Sequence, residues 1–524
     1  MASAANAASA KLTSTDSASQ DATAAPSSNA SLATSTLVSK IPGRSTIPED
    51  AASNPHHLVK RGAVVGFKNP YPSYTGAPNF GTMVRRILWP TITGELKQPD
   101  TTPPTVPVVK PQWLSDRYAS DQLRATWLGH ACYYVEFPTG LRVLFDPVFE
   151  DRCSPFTFLG PKRYTPRPCD IKDIPIVDAV VISHSHYDHL SHSSILEVQQ
   201  HHPEAQFFVG LGLETWFRKT GIKHVTELDW WEDADLTVTV KDGDRMRDIT
   251  ARISCLPCQH TSARTLWDKD TTLWCSWAVR TGEKSVWFGG DTGYRAVPAL
   301  PTGTDDYSAE YEHLPRCPQF KQIGELRGPF DLGLIPIGAY YPRVAFSAMH
   351  ANPFDSVEIF RDTQCKRAMG IHWGTWALTM EEVLEPPKML KEALRKRGIP
   401  EVGVFDVCDI VPACVATPGI RCLTVLIAIE AQTHLPRSQE INGTSVIAKT
   451  TIMGLPAFSD STAKDQTPQQ QEPQQQQQSN AVATGAGANT GAGVTRPKTE
   501  AEKEADRLYE EAMEEEYAKR EGGS

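Results

Sequence analysis

"VVISHSHYDHLSH", residues 180–192, sets three histidines and an aspartate within six positions directly behind a short β-branched apolar run. The apolar run reads as a strand, and a chain leaving a strand turns sharply. Alternate residues of such a loop can point into one cavity, so His184 and His186 are placed to share a metal ion, with Asp188 and His189 facing a second one. Burying several protonatable rings together with no common partner would be costly. Imidazole and carboxylate donors without thiolate suit zinc or a similar divalent ion in an open, catalytic site.

Further ligands are expected from other strand ends. His260 follows "ISCLPCQ", Asp291 follows "VWFGGD", and His372 lies inside "GIHWG". A lone histidine in such a place is more often simply hydrogen-bonded, and it is the cluster at 184–189 that makes these three candidates. Strand-like runs include "RATWLGHACYYVEF", "LRVLFDP", "AQFFVG", "LWCSWAVRT", "DLGLIPIG" and "RAMGIHWG". Helical patterns include "HSSILEVQQHH", "ANPFDSVEIFRDTQ" and "TMEEVLEPPKMLKEALRKRG", the last expected to break or kink at Pro386-Pro387 and to stop at Gly398. Continuous and alternating apolar runs both occur, which suits an α/β fold of two sheets covered by helices.

The 524 residues divide by composition. Residues 1–56 are Ala/Ser/Thr-rich and read as a disordered tail, and 57–431 carry nearly all the aromatic side chains and hold the core. Residues 432–498 are a Gln/Pro and Gly/Ala linker, and 499–521 form an acidic amphipathic helix with Thr499 and Glu502 as a capping box. That helix is read as solvated, with docking to a protein partner as the alternative. Of the net charge of −10, residues 500–521 contribute −6 from ten acidic and four basic side chains, leaving −4 for the rest. A nucleic-acid partner is therefore not expected, for want of a dense basic patch. Eleven cysteines without a spacing framework suit a reducing, intracellular compartment, and Cys255-Leu-Pro-Cys258 is read as two strand cysteines. The longest apolar run, "CLTVLIAI", is of strand length, so no membrane-spanning segment is expected.

The HxHxDH run followed at long intervals by His, Asp and His resembles the metallo-β-lactamase superfamily. That implies a four-layered αββα sandwich with metals at the edge between the sheets, over roughly residues 120–410. "TWLGHACYYVE", "FGGDTGY", "IPIGAYYPR", "MHANP" and "IHWGTW", with "GFKNPYPSY" upstream, are similar to the N-acylphosphatidylethanolamine-hydrolysing phospholipase D branch. The resemblance implies two zinc ions per chain, the first on His184, His186 and His260, the second on Asp188, His189 and His372, with Asp291 between them. It also implies substrate contacts at Tyr187 and His350 and catalytic roles for Asp188, Asp291 and His350. The basic pair that follows the matching histidine in that branch is reduced here to Arg264 in "HTSARTL".

Two zinc ions about 3.5–4 Å apart would acidify a shared water and stabilise charge on the attacking and leaving oxygens of a phosphodiester. For the family substrate this yields an N-acylethanolamine and phosphatidic acid. A lipid substrate asks for a peripheral membrane contact, and Phe67, Tyr71, Tyr74, Phe80, Ile87, Leu88 and Trp89 beside Lys68, Arg85 and Arg86 suit an interfacial lip or an arm packed on the sandwich. The metal ligands alone leave open a lactone, ester or nucleic-acid phosphodiester hydrolase of the same fold, and, from another class, a non-catalytic lipid-binding protein. Whether the chain forms a homodimer is also open.

Overall fold

Strict alternation within short strands builds the core on both faces of a sheet. Tyr133, Val143, Phe145, Val181 and Phe208 belong to one buried cluster with Val238, Ile253, Trp277, Trp287 and Phe288 of a second sheet, and the Phe145 and Phe288 rings meet at 4.9 Å. Their sequence neighbours Tyr134, Leu144, Val180, Ile182, Phe207 and Val209 face the other way, onto Ile195 and Val198 of helix His192–His201 and Phe217 of helix Glu214–Lys219. Beyond the second sheet, helices Gln319–Leu326, Pro353–Asp362 and Glu385–Lys396 bury Phe320, Ile323, Val357, Leu390 and Leu394. The order helix, sheet, sheet, helix is the αββα sandwich expected.

The computed structural model describes residues 32–42, 46–76, 80–265, 267–301, 303–407 and 420–422. All lie in one of two compact units of the chain; the other, Ile427–Ala488, falls outside them, as do the linker expected at 432–498 and the helix expected at 499–521. One sheet runs Ala33–Lys40, Asp233–Asp242, Arg245–Leu256, Ser276–Thr281, Lys284–Phe288, Leu332–Pro336, Ala368–Ile371, Phe405–Asp406. The other runs Ile420–Cys422, Leu123–Gly129, Cys132–Glu136, Arg142–Phe145, Ala179–Val181, Gln206–Gly210, Val225–Leu228. Pairing is parallel from Lys284–Phe288 through Phe405–Asp406 and from Arg142–Phe145 through Val225–Leu228, so the loops leaving these strands gather at one edge.

Two expectations are corrected. Within the tail expected at 1–56, Ala33–Lys40 forms a strand that adds antiparallel to Asp233–Asp242 with Leu37 opposite Thr237. This is an edge strand held by backbone hydrogen bonds with Leu37 68% exposed, so it needs no apolar alternation. Pro386 and Pro387 do not break a helix but begin one: Glu385–Lys396 carries them in its first turn, where the missing N–H groups have no intrahelical partner to lose. Gly398, at φ 67°, ends the turn as expected. Cys255 and Cys258 are buried free thiols. Among the described residues no helix is long and apolar enough to cross a membrane.

Candidate metal centre

The strand Ala179–Val181 delivers the histidine loop, and its neighbour fixes where the loop begins. Asp146 directly follows strand Arg142–Phe145 and accepts from Ser183 N at 2.7 Å and Ser183 Oγ at 2.6 Å. The loop then folds back, with His189 N and Leu190 N both donating to His186 O, before Ser191 caps helix His192–His201. Arg264 closes it from outside, donating to Ser185 O at 2.9 Å and Leu190 O at 2.7 Å. Gly290 admits the loop leaving Lys284–Phe288, since a Cβ there would stand 2.6 Å from Ser183 Cβ. Gly338 does the same for His372, whose carbonyl oxygen would lie 2.3 Å from an added Cβ.

These strand ends bring all seven expected ligands together in two nests. In the first, His186 Nδ1 lies 2.8 Å from His184 Nε2 and 3.2 Å from His260 Nε2. In the second, Asp188 Oδ2 lies 3.3 Å from His372 Nε2 and 3.4 Å from His189 Nε2. Asp291 faces both: its Oδ1 is 3.1 Å from His189 Nε2, and its Oδ2 is 2.9 Å from His372 Nε2, 3.6 Å from His260 Nε2 and 3.9 Å from His184 Nε2.

The donor set fits divalent cations. His189 Nε2 and Asp291 Oδ1 are buried and in contact, yet neither has a hydrogen-bond partner, which is the relation of two ligands around a shared ion. Burial holds the His184, His186 and His260 rings below their ordinary pKa, and neighbouring rings add to this at His184, so all three are neutral donors. Burial opposes charge on Asp188 and Asp291 too, but the facing His189 and other rings overcome it and keep both carboxyls ionised. Those carboxylates call for positive charge. Against the effect of burial they draw protons onto His189 and His372, the latter pushed up to about 9, and cations held by the nests would supply the same charge.

An outer ring of contacts orients the rings. Ser183 Oγ lies 2.9 Å from His184 Nδ1, Asp146 Oδ2 lies 2.6 Å from His189 Nδ1, and Met349 O lies 2.9 Å from His260 Nδ1. Sequence reasoning passed over Asp146 and His130. His130 Nε2 is 3.0 Å from Asp188 Oδ2, and burial with the His372 charge pushes its pKa down to about 3. At φ 52° it turns the chain between Leu123–Gly129 and Cys132–Glu136, and its carbonyl accepts from His372 N at 3.1 Å. The Gly-His pair inside "TWLGHACYYVE", a stretch that reads as a strand and carries part of the family likeness, is the signal in the sequence that points to His130.

Of the two expected substrate contacts, His350 stands at the centre, its Nδ1 3.9 Å from Asp291 Oδ2 and its side chain 15% exposed. Tyr187 lies beneath the Arg264 guanidinium, 4.1 Å from the ring centroid. Of the expected lip, Phe67 is buried in the core, while Leu88 and Trp89 are more than half exposed on the helical segment Phe80–Thr93, as is Ile92 of the same segment, just past the expected lip residues.

A beta-lactamase superfamily domain matches residues 141–373. The chain is 36% identical to N-acyl-phosphatidylethanolamine-hydrolyzing phospholipase D 1 of Caenorhabditis elegans over 351 residues, which is 65% of this chain and 88% of that one. It is 34% identical to the mitochondrial N-acyl-phosphatidylethanolamine-hydrolyzing phospholipase D of Saccharomyces cerevisiae over 292 residues, 54% of this chain and 56% of that one. Among solved structures, a metallo hydrolase from Ignicoccus hospitalis is similar with a TM-score of 0.35 and 20% identity, covering 54% of this chain and 95% of that chain.

Proposed function

The chain belongs to the N-acylphosphatidylethanolamine-hydrolysing phospholipase D family of the metallo-β-lactamase superfamily, and on that basis we propose that it is a dinuclear zinc phosphodiesterase cleaving N-acylphosphatidylethanolamine to N-acylethanolamine and phosphatidic acid. The coarser part of this reading, a metal-dependent hydrolase, rests on family and fold together. The observation that carries its two-metal part is the Asp291 carboxylate, whose Oδ1 meets His189 and whose Oδ2 meets His372, His260 and His184, while the lipid substrate rests on the relatives.

His184, His186 and His260 would hold one zinc ion and Asp188, His189 and His372 the other, with Asp291 shared. Bound there, the pair would acidify water and neutralise charge on the phosphodiester oxygens. The chain's own residues do the rest. Asp146, Ser183 and the Met349 carbonyl keep three rings turned with one nitrogen toward the centre. His350, beside Asp291 and partly open to solvent, is positioned to hydrogen-bond a phosphate oxygen or steady the leaving alkoxide. Hydrolysis forms a bond from phosphorus to the water oxygen and breaks the one to the N-acylethanolamine oxygen, which takes up a proton.

The approach to lipid is assigned to the segment Phe80–Thr93. Exposed Leu88, Trp89 and Ile92 would enter the interface, and Arg85 and Arg86, which line a cavity of about 560 Å³, would meet lipid phosphates. The test is turnover by the purified full chain of N-acylphosphatidylethanolamine in vesicles, with products identified by mass spectrometry. Release of N-acylethanolamine and phosphatidic acid, abolished by chelator, is expected. Cleavage of RNA or a simple lactone with the lipid left intact would overturn the substrate assignment and leave the hydrolase.

A further inference from the structure

A second set of the same donor types lies outside this centre. His56 and His57 stand at the start of the hairpin His57–Lys60 and Ala63–Phe67, and Asp229 directly follows strand Val225–Leu228. His56 Nε2 is 2.8 Å from Asp229 Oδ1 and His57 Nε2 is 2.9 Å from Asp229 Oδ2, with side-chain exposures of 2%, 11% and 8%. One donor atom from each lies within 4.8 Å of the others.

We propose that His56, His57 and Asp229 form a further divalent-cation site of zinc type, which fastens the N-terminal hairpin to the sandwich.

Hydrogen bonding alone leaves this trio incomplete. His56 and Asp229 are aligned for a hydrogen bond, but His57 Nε2, although it touches the carboxylate, is buried with no hydrogen-bond partner. A ring nitrogen 2.9 Å from a carboxylate oxygen but not directed at it points beside it, toward a position both could share. The metal centre repeats this relation at His189 Nε2 and Asp291 Oδ1, 3.1 Å apart and both without a partner. It also contains an adjacent pair, Asp188 and His189, serving one nest, as His56 and His57 would here. The 2.8 Å approach of His56 to Asp229 matches that of His184 to His186. Two imidazoles and a carboxylate select a borderline ion over calcium or magnesium and leave a coordination position for water.

The surroundings orient the donors as an outer ring would. The Trp230 ring stacks on His56 at 4.3 Å, and Trp230 N donates to Asp229 Oδ1 at 2.8 Å. The consequence reaches the catalytic edge through the chain that follows the hairpin. Phe67 N donates to Asp270 O at 2.7 Å, and Asn69 Nδ2 donates to the carbonyl of His260 at 2.7 Å. An ion on the trio would thus anchor the segment that braces one ligand of the other centre.

The test is zinc content per chain for the full protein, stripped with chelator, re-equilibrated with zinc chloride and desalted. His57→Gln and Asp229→Asn are each expected to hold about one equivalent fewer than wild type, and zinc is expected to raise Tm less in them than in wild type. Two variants are used so that a folding failure in one leaves the other to decide. Because the trio also braces His260, each change is repeated in Asp291→Asn, whose own centre is already depleted, and is expected to remove the same equivalent there; no further loss in that background would overturn the assignment. Equal zinc content in wild type and the folded variants would overturn the assignment and leave the trio as a hydrogen-bonded tie.

Discussion

Asp146 Oδ2 lies 2.6 Å from His189 Nδ1, and neither side chain is exposed. The same carboxylate accepts from the Ser183 backbone and hydroxyl, so one residue fixes both the start of the histidine loop and the ring of His189. With the Nδ1 proton directed to Asp146, Nε2 is left for the metal centre. Asp146→Asn is expected to lower metal content and kcat by about 10–100-fold with the fold kept. Metal analysis, steady-state rates and circular dichroism on the same preparation check this, and unchanged rates would deny the positioning role.

Asp291→Asn should be more damaging. The carboxylate lies within 4 Å of His184, His189, His260 and His372, so its loss removes the one negative group common to both nests. A fall in rate of at least about 100-fold, with loss of bound metal, is expected. Near-normal activity would contradict the bridging role proposed for it.

Removing the metal should abolish hydrolysis, and zinc should restore it where magnesium does not. Five imidazoles and two carboxylates make a donor set poor for magnesium, which prefers oxygen and keeps its waters. Recovery with magnesium alone, measured on the chelator-treated protein, would contradict the zinc reading.

What could be read from the chain depended on whether the signal was local. His184, His186, Asp188 and His189 stand together in the sequence, so their shared purpose showed at once. His260, Asp291 and His372 are reachable only as strand ends and by family likeness, because sheet pairing, antiparallel at the strand before His260 and parallel at the strands before the other two, brings them to one edge, not sequence proximity. His130 and Asp146 carried no cluster around them; each acts through a turn at positive φ that a pattern of apolar residues does not show. The strand Ala33–Lys40 leaves no apolar pattern in the sequence, since an exposed edge strand has almost nothing to bury. The effect of Pro386 and Pro387 is not legible locally, because it depends on whether the helix starts before or at them.

Trp89→Ser combined with Ile92→Ser tests the lipid-facing segment. Both side chains are more than 60% exposed, so the change should leave Tm nearly unaltered. Turnover on vesicles should fall about 10-fold or more, from lost apolar insertion, while turnover of detergent-dispersed substrate is retained. Equal losses in the two formats would place the defect in the catalytic centre instead.

His202 gives a pH test of stability away from the metals. It closes helix His192–His201, its Nε2 is buried with no hydrogen-bond partner, and burial with the nearby His201 pushes its pKa down to about 4. Protons therefore bind the unfolded chain, at about 6.5, more readily than the folded one. The contribution to stability is full above about pH 6.5 and is lost as pH falls through that value toward about 4, reaching about 1–2 kcal/mol near pH 5. His202→Gln removes the titrating ring, so the drop in Tm between about pH 7 and about pH 5 should be smaller in the variant than in wild type. Acid release of metal affects both proteins alike and cancels in the comparison. An identical drop would show that the ring is already solvated in the folded chain.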